Sequence, residues 1–220
     1  MEKGLAVCSG GMDSTVSLVC SLLQRPTDAL HITYGCRAEP KEIQAVNDIA
    51  DYYHIKLHRI DLTDAFRVIA GSALTGEWNG VSVGYENSKY TSEWVPARNT
   101  ILLSVALGLA ESKDYSYLIL GNNAEEAVAY PDNTETFIHR FNDLIPFAVA
   151  PGVHIEVEQP IGNLNKESIV RLGSELGVPL EMTWSCYDRL YQHCGQCGSC
   201  FMRRRAFKAV GVEDKTKYID

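Results

Sequence analysis

The sequence has no long apolar run and no excess of positive charge, and each absence argues against a class of function. No stretch of about 18 consecutive apolar residues occurs, so we expect no membrane-spanning helix. The chain enters a predicted strand at once, without the segments of a signal peptide, so a cytosolic location is the default expectation. The net charge of −8 argues against broad nonspecific binding of nucleic acid, although a small anion could bind in a local basic pocket.

Two common phosphate-binding motifs are also missing. The loop of kinases and GTPases needs Gly-Lys-Ser/Thr, but no lysine lies between Lys3 and Lys41. The Gly-x-Gly-x-x-Gly fingerprint of dinucleotide-binding folds does not occur either. A phosphate site in this chain must therefore be built from another motif.

The segment from Ser9 to Ser14, Ser-Gly-Gly-Met-Asp-Ser, follows an apolar run and precedes a helical pattern. Glycines allow a ligand to approach the backbone, and the N–H groups at a helix start attract anionic oxygens. The hydroxyls of Ser9, Ser14 and Thr15 add donors. The segment resembles the pyrophosphate (PP) loop of ATP pyrophosphatases, which split ATP between its α and β phosphates and transfer AMP to an oxygen of the substrate. The alternative is an ordinary strand-to-helix turn.

Apolar runs alternate with helical periodicity along the chain. The runs that predict strands cover 4–8, 29–34, 56–60, 116–121 and 154–158. The helical patterns lie near 13–24, 38–53, 98–112, 134–148 and 165–177. This alternation predicts an α/β fold, a parallel sheet with helices on both faces, whose ligands bind beyond the carboxyl ends of the strands. Ser9–Ser14, 34–37 and 121–123 all follow predicted strands and should meet at that edge.

We predict two regions, 1–182 as an ATP-binding α/β domain and 183–220 as a cysteine-rich segment without a fold of its own. Residues 61–97 show no strong period and are rich in Gly, Ser, Thr, Asn and Tyr. They form either an insertion or lid over the ligand edge, or a plain long loop.

Four of the seven cysteines lie between Cys186 and Cys200, in the pattern Cys186-x7-Cys194-x2-Cys197-x2-Cys200. Clustered cysteines in a cytosolic chain favour metal over disulfides, and four thiolates suit a tetrahedral structural zinc ion. An iron–sulfur cluster or a redox pair are the alternatives. His193 is interpreted as a neighbour rather than a ligand.

The remaining cysteines and an arginine run are less informative. Cys8 and Cys20 lie in apolar patterns typical of a core, and the loop position of Cys36 does not define its reactivity. The run 203–205 is Arg-Arg-Arg, which indicates either a solvated helix face or contacts to ligand phosphate or to the chain's own acidic surface.

Taken together, these features resemble the 7-cyano-7-deazaguanine synthase (QueC) family over most of the chain, to about Phe207. The residues that carry the resemblance are Ser9-Gly10-Gly11-Met12-Asp13-Ser14, Tyr34-Gly35, Val95-Pro96-Ala97-Arg98-Asn99, Tyr130-Pro131-Asp132, Asn165-Lys166-Glu167, Thr183-Trp184-Ser185-Cys186-Tyr187 and the three later cysteines. The resemblance implies a Rossmann-like sheet of the PP-loop ATPase type, a structural zinc ion and a homodimer.

The family converts 7-carboxy-7-deazaguanine and ammonia to the nitrile, with ATP and zinc. Adenylation gives the carboxylate a leaving group, ammonia then forms the amide, and a second adenylation leads to the nitrile. The protein must therefore hold phosphates, shield an adenylate from water and bind a purine-like base. No general base stands out in the sequence, and no glutaminase signature is present, so free ammonia is the expected nitrogen donor.

The resemblance implies the following roles on the nucleotide side. The ATP loop comprises Cys8, Ser9, Gly10, Gly11, Met12, Asp13, Ser14, Thr15, Val16, Ser17 and Leu18, joined by Gly121. Asp13 is a candidate Mg²⁺ ligand because hard cations prefer carboxylate oxygens. Lys166 either neutralises pyrophosphate or is a surface lysine. Catalytic roles are assigned to Asp13, Ser14, Lys166 and Arg98.

Other residues are assigned to the deazaguanine substrate: Tyr34, Arg98, Asn99, Glu126, Tyr130 and Asp132. Arg98 could bind a carboxylate or phosphate in forked geometry, or form a salt bridge at the helix end. Asp132 could accept hydrogen bonds from the base or act as a helix N-cap. Tyr130 could stack on the base or be a core aromatic residue.

The sequence departs from the family pattern around this presumed base pocket. Ala97 and Ala129 stand where the family has glycine, Asn133 where it has cysteine, and Glu126 where it has aspartate. Adenylation is therefore the firmer expectation, and the choice between nitrile and amide is open. The competing functions are a PP-loop tRNA sulfurtransferase, which would need a catalytic cysteine pair and a basic surface, and a non-catalytic zinc-ribbon module that binds nucleotides.

Overall fold

A five-stranded parallel sheet forms the centre of the protein. The structure is a computed structural model that describes residues 2–69, 94–128, 130–188 and 191–219. The strands are β1 (Gly4–Val7), β2 (Thr27–Thr33), β3 (Leu57–Asp61), β4 (Tyr117–Ile119) and β5 (Glu156–Glu158), in the order β3-β2-β1-β4-β5. The strand order reverses between β1 and β4, which is where ligands bind in such sheets.

Eight described helices accompany the sheet. They are α1 (Met12–Leu22), α2 (Glu39–Tyr53), α3 (Thr63–Val68), α4 (Arg98–Ser112), α5 (Ala124–Ala127), α6 (Glu135–Ala148), α7 (Lys166–Glu175) and α8 (Gly198–Val210). Short 3-10 turns cover Pro131–Asn133 and Leu180–Met182. None of these helices, which belong to the described ranges, is long and apolar enough to cross a membrane.

Both faces of the sheet are buried, because successive side chains of a strand point to opposite faces. On one face, Leu5 and Leu30 pack with Leu103 of α4 and Phe141 of α6. On the other, side chains of β1 and β2 pack under α1 and α2. This burial on both sides is why the central strands β1 and β4 are almost entirely apolar, whereas the edge strands β3 and β5 carry charged and exposed residues.

The predicted parallel α/β fold is confirmed, and all five strands and five helices lie within a few residues of their predicted bounds. Three described helices were not predicted. The helix α3 lies inside the presumed insertion at 61–97, whose residues 70–93 lie outside the described ranges. The helix α5 is only four residues long, and α8 begins within the cysteine spacing.

The helix α8 joins the cysteine segment to the main core. Ala206 and Phe207 belong to the same apolar cluster as Met12 and Val16 of α1. The predicted boundary at residue 182 therefore separates two parts that share a core.

The solvated-face interpretation of the arginine run is wrong for Arg203, which is 1% exposed. Its guanidinium donates to Thr183 Oγ1 at 2.7 Å and to the Leu180 carbonyl at 2.8 Å, and it pairs with Asp214 at 3.3 Å. Arg205 pairs with Glu125 at 3.2 Å. Both arginines thus contact the chain's own acidic side chains, which is one of the two predicted alternatives.

Candidate active site and metal centre

A cavity of about 300 Å³ opens at the carboxyl ends of β1 and β4. Its wall combines the loop after β1, the loop after β4, the first turns of α4, α7 and α8, and the segment between the last 3-10 turn and the cysteines. The lining residues central to the site are Ser9, Gly11, Asp13, Ser14, Tyr34, Glu42, Arg98, Asn99, Gly121, Glu126, Tyr130, Lys166, Trp184 and Tyr187. The topology thus brings together most of the predicted site residues.

Local hydrogen bonds fix the loop after β1. The hydroxyls of Ser14 and Thr15 donate to the Gly11 carbonyl at 3.1 and 2.8 Å. Gly10 has φ +83°, and a Cβ there would lie 2.7 Å from the Glu42 carbonyl. Only glycine combines that backbone conformation with so close an approach to α2. The amide and hydroxyl donors are therefore held in place by the chain itself.

Not every residue assigned to ATP reaches the cavity. Cys8, Ser9, Gly11, Met12, Asp13, Ser14 and Gly121 line it. Gly10 does not, because it packs on α2. Thr15, Val16, Ser17 and Leu18 are absent from the lining and nearly or fully buried, and Val16 and Leu18 belong to apolar clusters. The second turn of α1 therefore supports the loop rather than the ligand.

A buried charge centre lies beside the loop. The Lys166 ammonium hydrogen-bonds Asp13 and contacts Glu126 Oε1 at 3.0 Å, with the lysine side chain only 14% exposed. Lys166 is therefore not a surface lysine, which was the alternative to a role with pyrophosphate. Burial opposes its charge, but the two carboxylates outweigh that effect and raise the pKa of Lys166.

The two carboxylates differ in their surroundings. Burial raises the pKa of Asp13, which Lys166 only partly offsets. Burial alone would also raise the pKa of Glu126, but the interactions with Lys166 and Asn123 outweigh it, so this pKa is lowered. Asp13 Oδ2 accepts from Asn123 Nδ2 at 2.8 Å, whereas the buried Oδ1 has no hydrogen-bond partner within the described residues. A free carboxylate oxygen at this place suits a hard cation.

Arg98 begins α4 and lines the same cavity. Burial works against its charge, but interactions with Tyr34, Tyr187 and Glu126 keep the pKa of Arg98 raised. In the described part of the chain no carboxylate forms an ion pair with Arg98, so the predicted alternative of a helix-end salt bridge is not seen. A permanent positive charge at the cavity wall can bind an anionic ligand group.

Asp132 holds the start of α4 in place. Its carboxylate accepts from the Asn99 backbone N–H at 3.3 Å, and the Asn99 side chain donates to the Asp132 carbonyl at 3.1 Å. Asp132 therefore caps α4 from a distant segment and does not itself line the cavity. Tyr130, in contrast, lines the cavity and stacks on Trp94 with an interplanar angle of 12°.

The departures from the family pattern have local consequences. Ala97 has φ 52°, the left-handed conformation that favours glycine. Asn133 is buried, and its Oδ1 accepts from Asn99 Nδ2 at 2.9 Å, while its own Nδ2 has no partner among the described residues. Ala129 lies outside the described residues.

The four clustered cysteines can hold a metal ion. Their sulfur atoms all lie within 4.8 Å of one another, and a tetrahedral zinc site with Zn–S bonds of about 2.3 Å needs separations of about 3.8 Å. The Cys197 and Cys194 backbone N–H groups donate to Cys194 and Cys186 sulfurs at 3.2 and 3.4 Å. His193 lies beside this group but outside it, accepting from the Ser185 N–H at 3.1 Å.

One polar pair in the cavity wall was not predicted from the sequence. The Cys36 thiol donates to Glu42 Oε2 at 3.3 Å, and Glu42 lines the cavity. A signal was available, because Glu42 shares a helical stripe with buried Ala45, Val46 and Ile49. A carboxylate in such a stripe faces the protein interior.

Known proteins resemble this chain in sequence and in fold. The family model described as "Queuosine biosynthesis protein QueC" matches residues 3–211. The chain belongs to the QueC family. The 7-cyano-7-deazaguanine synthase 2 of Sulfurisphaera tokodaii is 45% identical over 99% of this chain, which spans only 48% of that relative. The 7-cyano-7-deazaguanine synthase of Methanothrix thermoacetophila is 39% identical over 99% of both chains.

This member of the QueC family thus spans about half the length of some curated relatives and nearly all of others. Among solved structures, a predicted subunit of tRNA methyltransferase from Methanocaldococcus jannaschii matches with a TM-score of 0.51 and 18% identity, over 100% of this chain and 93% of that one. At that identity the likeness concerns the fold alone.

Proposed function

We propose that this chain is an ATP-dependent C–N ligase that converts 7-carboxy-7-deazaguanine and ammonia to 7-cyano-7-deazaguanine, as a step of queuosine biosynthesis. The observation that carries the proposal is one cavity that is lined by both a phosphate-type loop and the Arg98 cation. The names of relatives at 39–45% identity supply the product, and the family resemblance supplies the substrate. The reaction requires both the loop and the cation, because the nucleotide and the substrate carboxylate must react with each other.

On the nucleotide wall, the Ser9 and Ser14 hydroxyls and the N–H groups at the start of α1 bind the phosphates. Lys166 neutralises the charge that develops on the departing pyrophosphate. A Mg²⁺ ion held by Asp13, with Glu126 beside it, would compensate phosphate charge when bound; the free Asp13 Oδ1 fits that ligand.

In the same cavity, Arg98 binds the substrate carboxylate and presents its oxygen to the α-phosphate. Tyr130 and Tyr34 bound the space for the purine-like base, and Asn99 is held by Asp132 at the start of α4. Asp132 thus acts by positioning Asn99 rather than by direct contact, which revises its predicted role. A cavity of about 300 Å³ lies at the lower end of the usual range for ligand sites.

Zinc is the metal proposed for Cys186, Cys194, Cys197 and Cys200. Four thiolates leave no open ligand position, so the ion would supply folding energy rather than chemistry. Its effect on the cavity is indirect: α8 begins at the cysteine cluster, and Gly198, Ser199 and Met202 line the cavity. The homodimer implied by the family resemblance is a separate proposal, which light scattering of the purified protein tests.

The test is direct. The zinc-loaded protein is incubated with ATP, Mg²⁺, ammonium and 7-carboxy-7-deazaguanine, and nucleotides and bases are followed by mass spectrometry. We expect AMP and pyrophosphate together with the nitrile. Formation of AMP with only the amide would show that the protein carries out the first adenylation but not the conversion of the amide to the nitrile. No substrate-dependent AMP, with a known synthase active in the same buffer, would reject the proposal and favour the sulfurtransferase or the binding module.

A further inference from the structure

The cavity contains a carboxylate that the proposed steps leave unused. Glu42 lies in the first turn of α2 and is 9% exposed, yet it lines the cavity. The Cys36 thiol occupies its Oε2. No hydrogen bond between Oε1 and another described residue is seen, and the side chain lines the cavity, which leaves this oxygen for a ligand.

The groups around Glu42 come from four segments. Cys36 and Tyr34 follow β2, Glu39 lies one turn earlier in α2, Arg98 begins α4 and Tyr187 belongs to the cysteine segment. Arg98 is the cation among them, and it interacts electrostatically with Glu42. Glu42 therefore lies near Arg98, to which we assign the carboxyl group of the substrate.

The proposed chemistry needs a proton acceptor at this place. When ammonia attacks the acyl adenylate, the C–N bond forms, AMP leaves with the C–O electron pair, and nitrogen must lose one proton. In the second round the adenylated amide gives up AMP and both remaining nitrogen protons as the C≡N bond forms. Three protons thus leave nitrogen in each full turnover.

We propose that Glu42 is the general base that accepts these protons through Oε1 and passes them to solvent at the cavity mouth. This inference rests on the proposed function. The loop carboxylate Asp13 is less suited to this role, because its Oδ2 is bound to the Lys166 cation and to Asn123, and its Oδ1 is the oxygen that we assign to Mg²⁺. Cys36 orients Glu42, since its thiol stays protonated and donates to the carboxylate.

Burial makes the ionisation of Glu42 suitable for the task. Burial, reinforced by Glu39, raises the pKa of Glu42 to about 7, although the Cys36 thiol and Arg98 act in the opposite direction. A base is most effective when its pKa lies near the working pH. Below about pH 7 the carboxyl is protonated and cannot accept, so the rate should rise as the pH passes through this region.

The test separates adenylation from the attack of ammonia. Exchange of labelled pyrophosphate into ATP, dependent on 7-carboxy-7-deazaguanine, is measured without ammonia. Amide and nitrile are then measured with ammonia, with the concentration of unprotonated NH₃ held constant at each pH. In Glu42→Gln we expect near-normal exchange, product formation slower by about 100-fold or more, and loss of the acidic limb near pH 7.

Three further variants sharpen the test. Glu39→Gln removes a carboxylate from the same helix turn outside the cavity lining, so product formation should continue. Cys36→Ala removes a hydrogen bond that lowers the pKa of Glu42, so the acidic limb should move to higher pH. Glu42→Asp should recover part of the lost rate. Glu42→Gln should also fold, because above pH 7 it relieves the burial of a charge.

The possible failures are distinguishable. If the wild-type protein shows neither exchange nor product, the proposed function fails. If the wild type is active and Glu42→Gln keeps both its rate and its acidic limb, only the role of Glu42 is rejected. If Glu42→Gln loses exchange together with product, Glu42 serves adenylation or binding, which also overturns the assignment as base.

Discussion

The loop at Ser9–Ser14 and the segment Cys186–Cys200 both contribute to the cavity lining but are stabilised by different means. The loop is held by its own hydrogen bonds and by the buried second turn of α1. The cysteine segment brings four sulfurs together, three of them on nearly or fully buried residues. The loop is therefore preformed by the chain itself, whereas the cysteine segment has an arrangement that a metal ion could stabilise.

The two regions nevertheless meet. The Trp184 backbone N–H donates to the Gly10 carbonyl at 2.9 Å, and Arg203 of α8 ties Thr183 and Leu180 to the same part of the chain. A disturbance of the cysteine segment can thus reach the loop. Substitutions in each region measure how far it does so.

The largest effect is expected for Cys197→Ser. Loss of one thiolate should abolish stoichiometric zinc binding and lower the unfolding free energy by at least about 3 kcal/mol, because structural zinc supplies on the order of 10 kcal/mol to small metal domains. Metal analysis and thermal unfolding test this. Cys20→Ser, outside the cluster, should keep its metal. A variant that keeps both zinc and wild-type stability would contradict the metal assignment.

The second-largest effect is expected for Lys166→Met. It leaves two carboxylates without their cation, at a cost of about 3–5 kcal/mol for a buried pair. Pyrophosphate exchange should fall by about 100-fold or more, while zinc content stays normal. Exposed Lys215→Met is the matched control. In the wild type the lowered pKa of Glu126 contributes stability that is lost on acidification, and in the variant this loss should be smaller.

Thr15→Val is a finer test of the loop. It removes the hydroxyl that donates to the Gly11 carbonyl at nearly constant volume. We expect about 1 kcal/mol lower stability and a higher KM for ATP, without change in zinc content. Urea unfolding and steady-state kinetics measure the two effects, with exposed Thr100→Val as control. An unchanged KM would show that the loop does not depend on this bond.

A substitution outside both regions should have the smallest effect, with opposite sign. Ala97 occupies the left-handed region, so Ala97→Gly should stabilise the protein by about 1 kcal/mol or less, the relief of strain being partly offset by unfolded-state entropy. Thermal unfolding measures it, and Ala127→Gly in α5, where φ is helical, should destabilise. Destabilisation by Ala97→Gly would contradict the strain.

The centre of the sheet could be predicted from the sequence because β1 and β4, which are buried on both faces, are almost entirely apolar, and the flanking helices could be predicted from their apolar periodicity. The loop was predictable for another reason: its glycines, Asp13 and hydroxyls lie next to each other in sequence. Lys166 and the cysteines were found through the family resemblance and their spacing, respectively. These signals are all local or nearly so.

What could not be predicted depends on distant partners. The burial of Arg203 requires Leu180, Thr183 and Asp214, which no periodicity connects. Asp132 caps α4 across 33 residues rather than the helix that follows it. The helix α8 was not predicted because its first residues fall within the cysteine spacing that we assigned to a metal site. Glu42 had a signal in its helical stripe, but its position in the cavity follows only from the fold.

Gly121 carries a consequence for reading sequence variation. A Cβ at this position would lie 2.6 Å from the backbone nitrogen of Ser14, so β4 can end against α1 only with glycine there. In a saturation mutagenesis library, we expect every replacement to be depleted, even under selection for folded protein alone. Intolerance at Gly121 would then report how tightly two backbone segments cross, and it would be misread if scored as evidence of nucleotide contact.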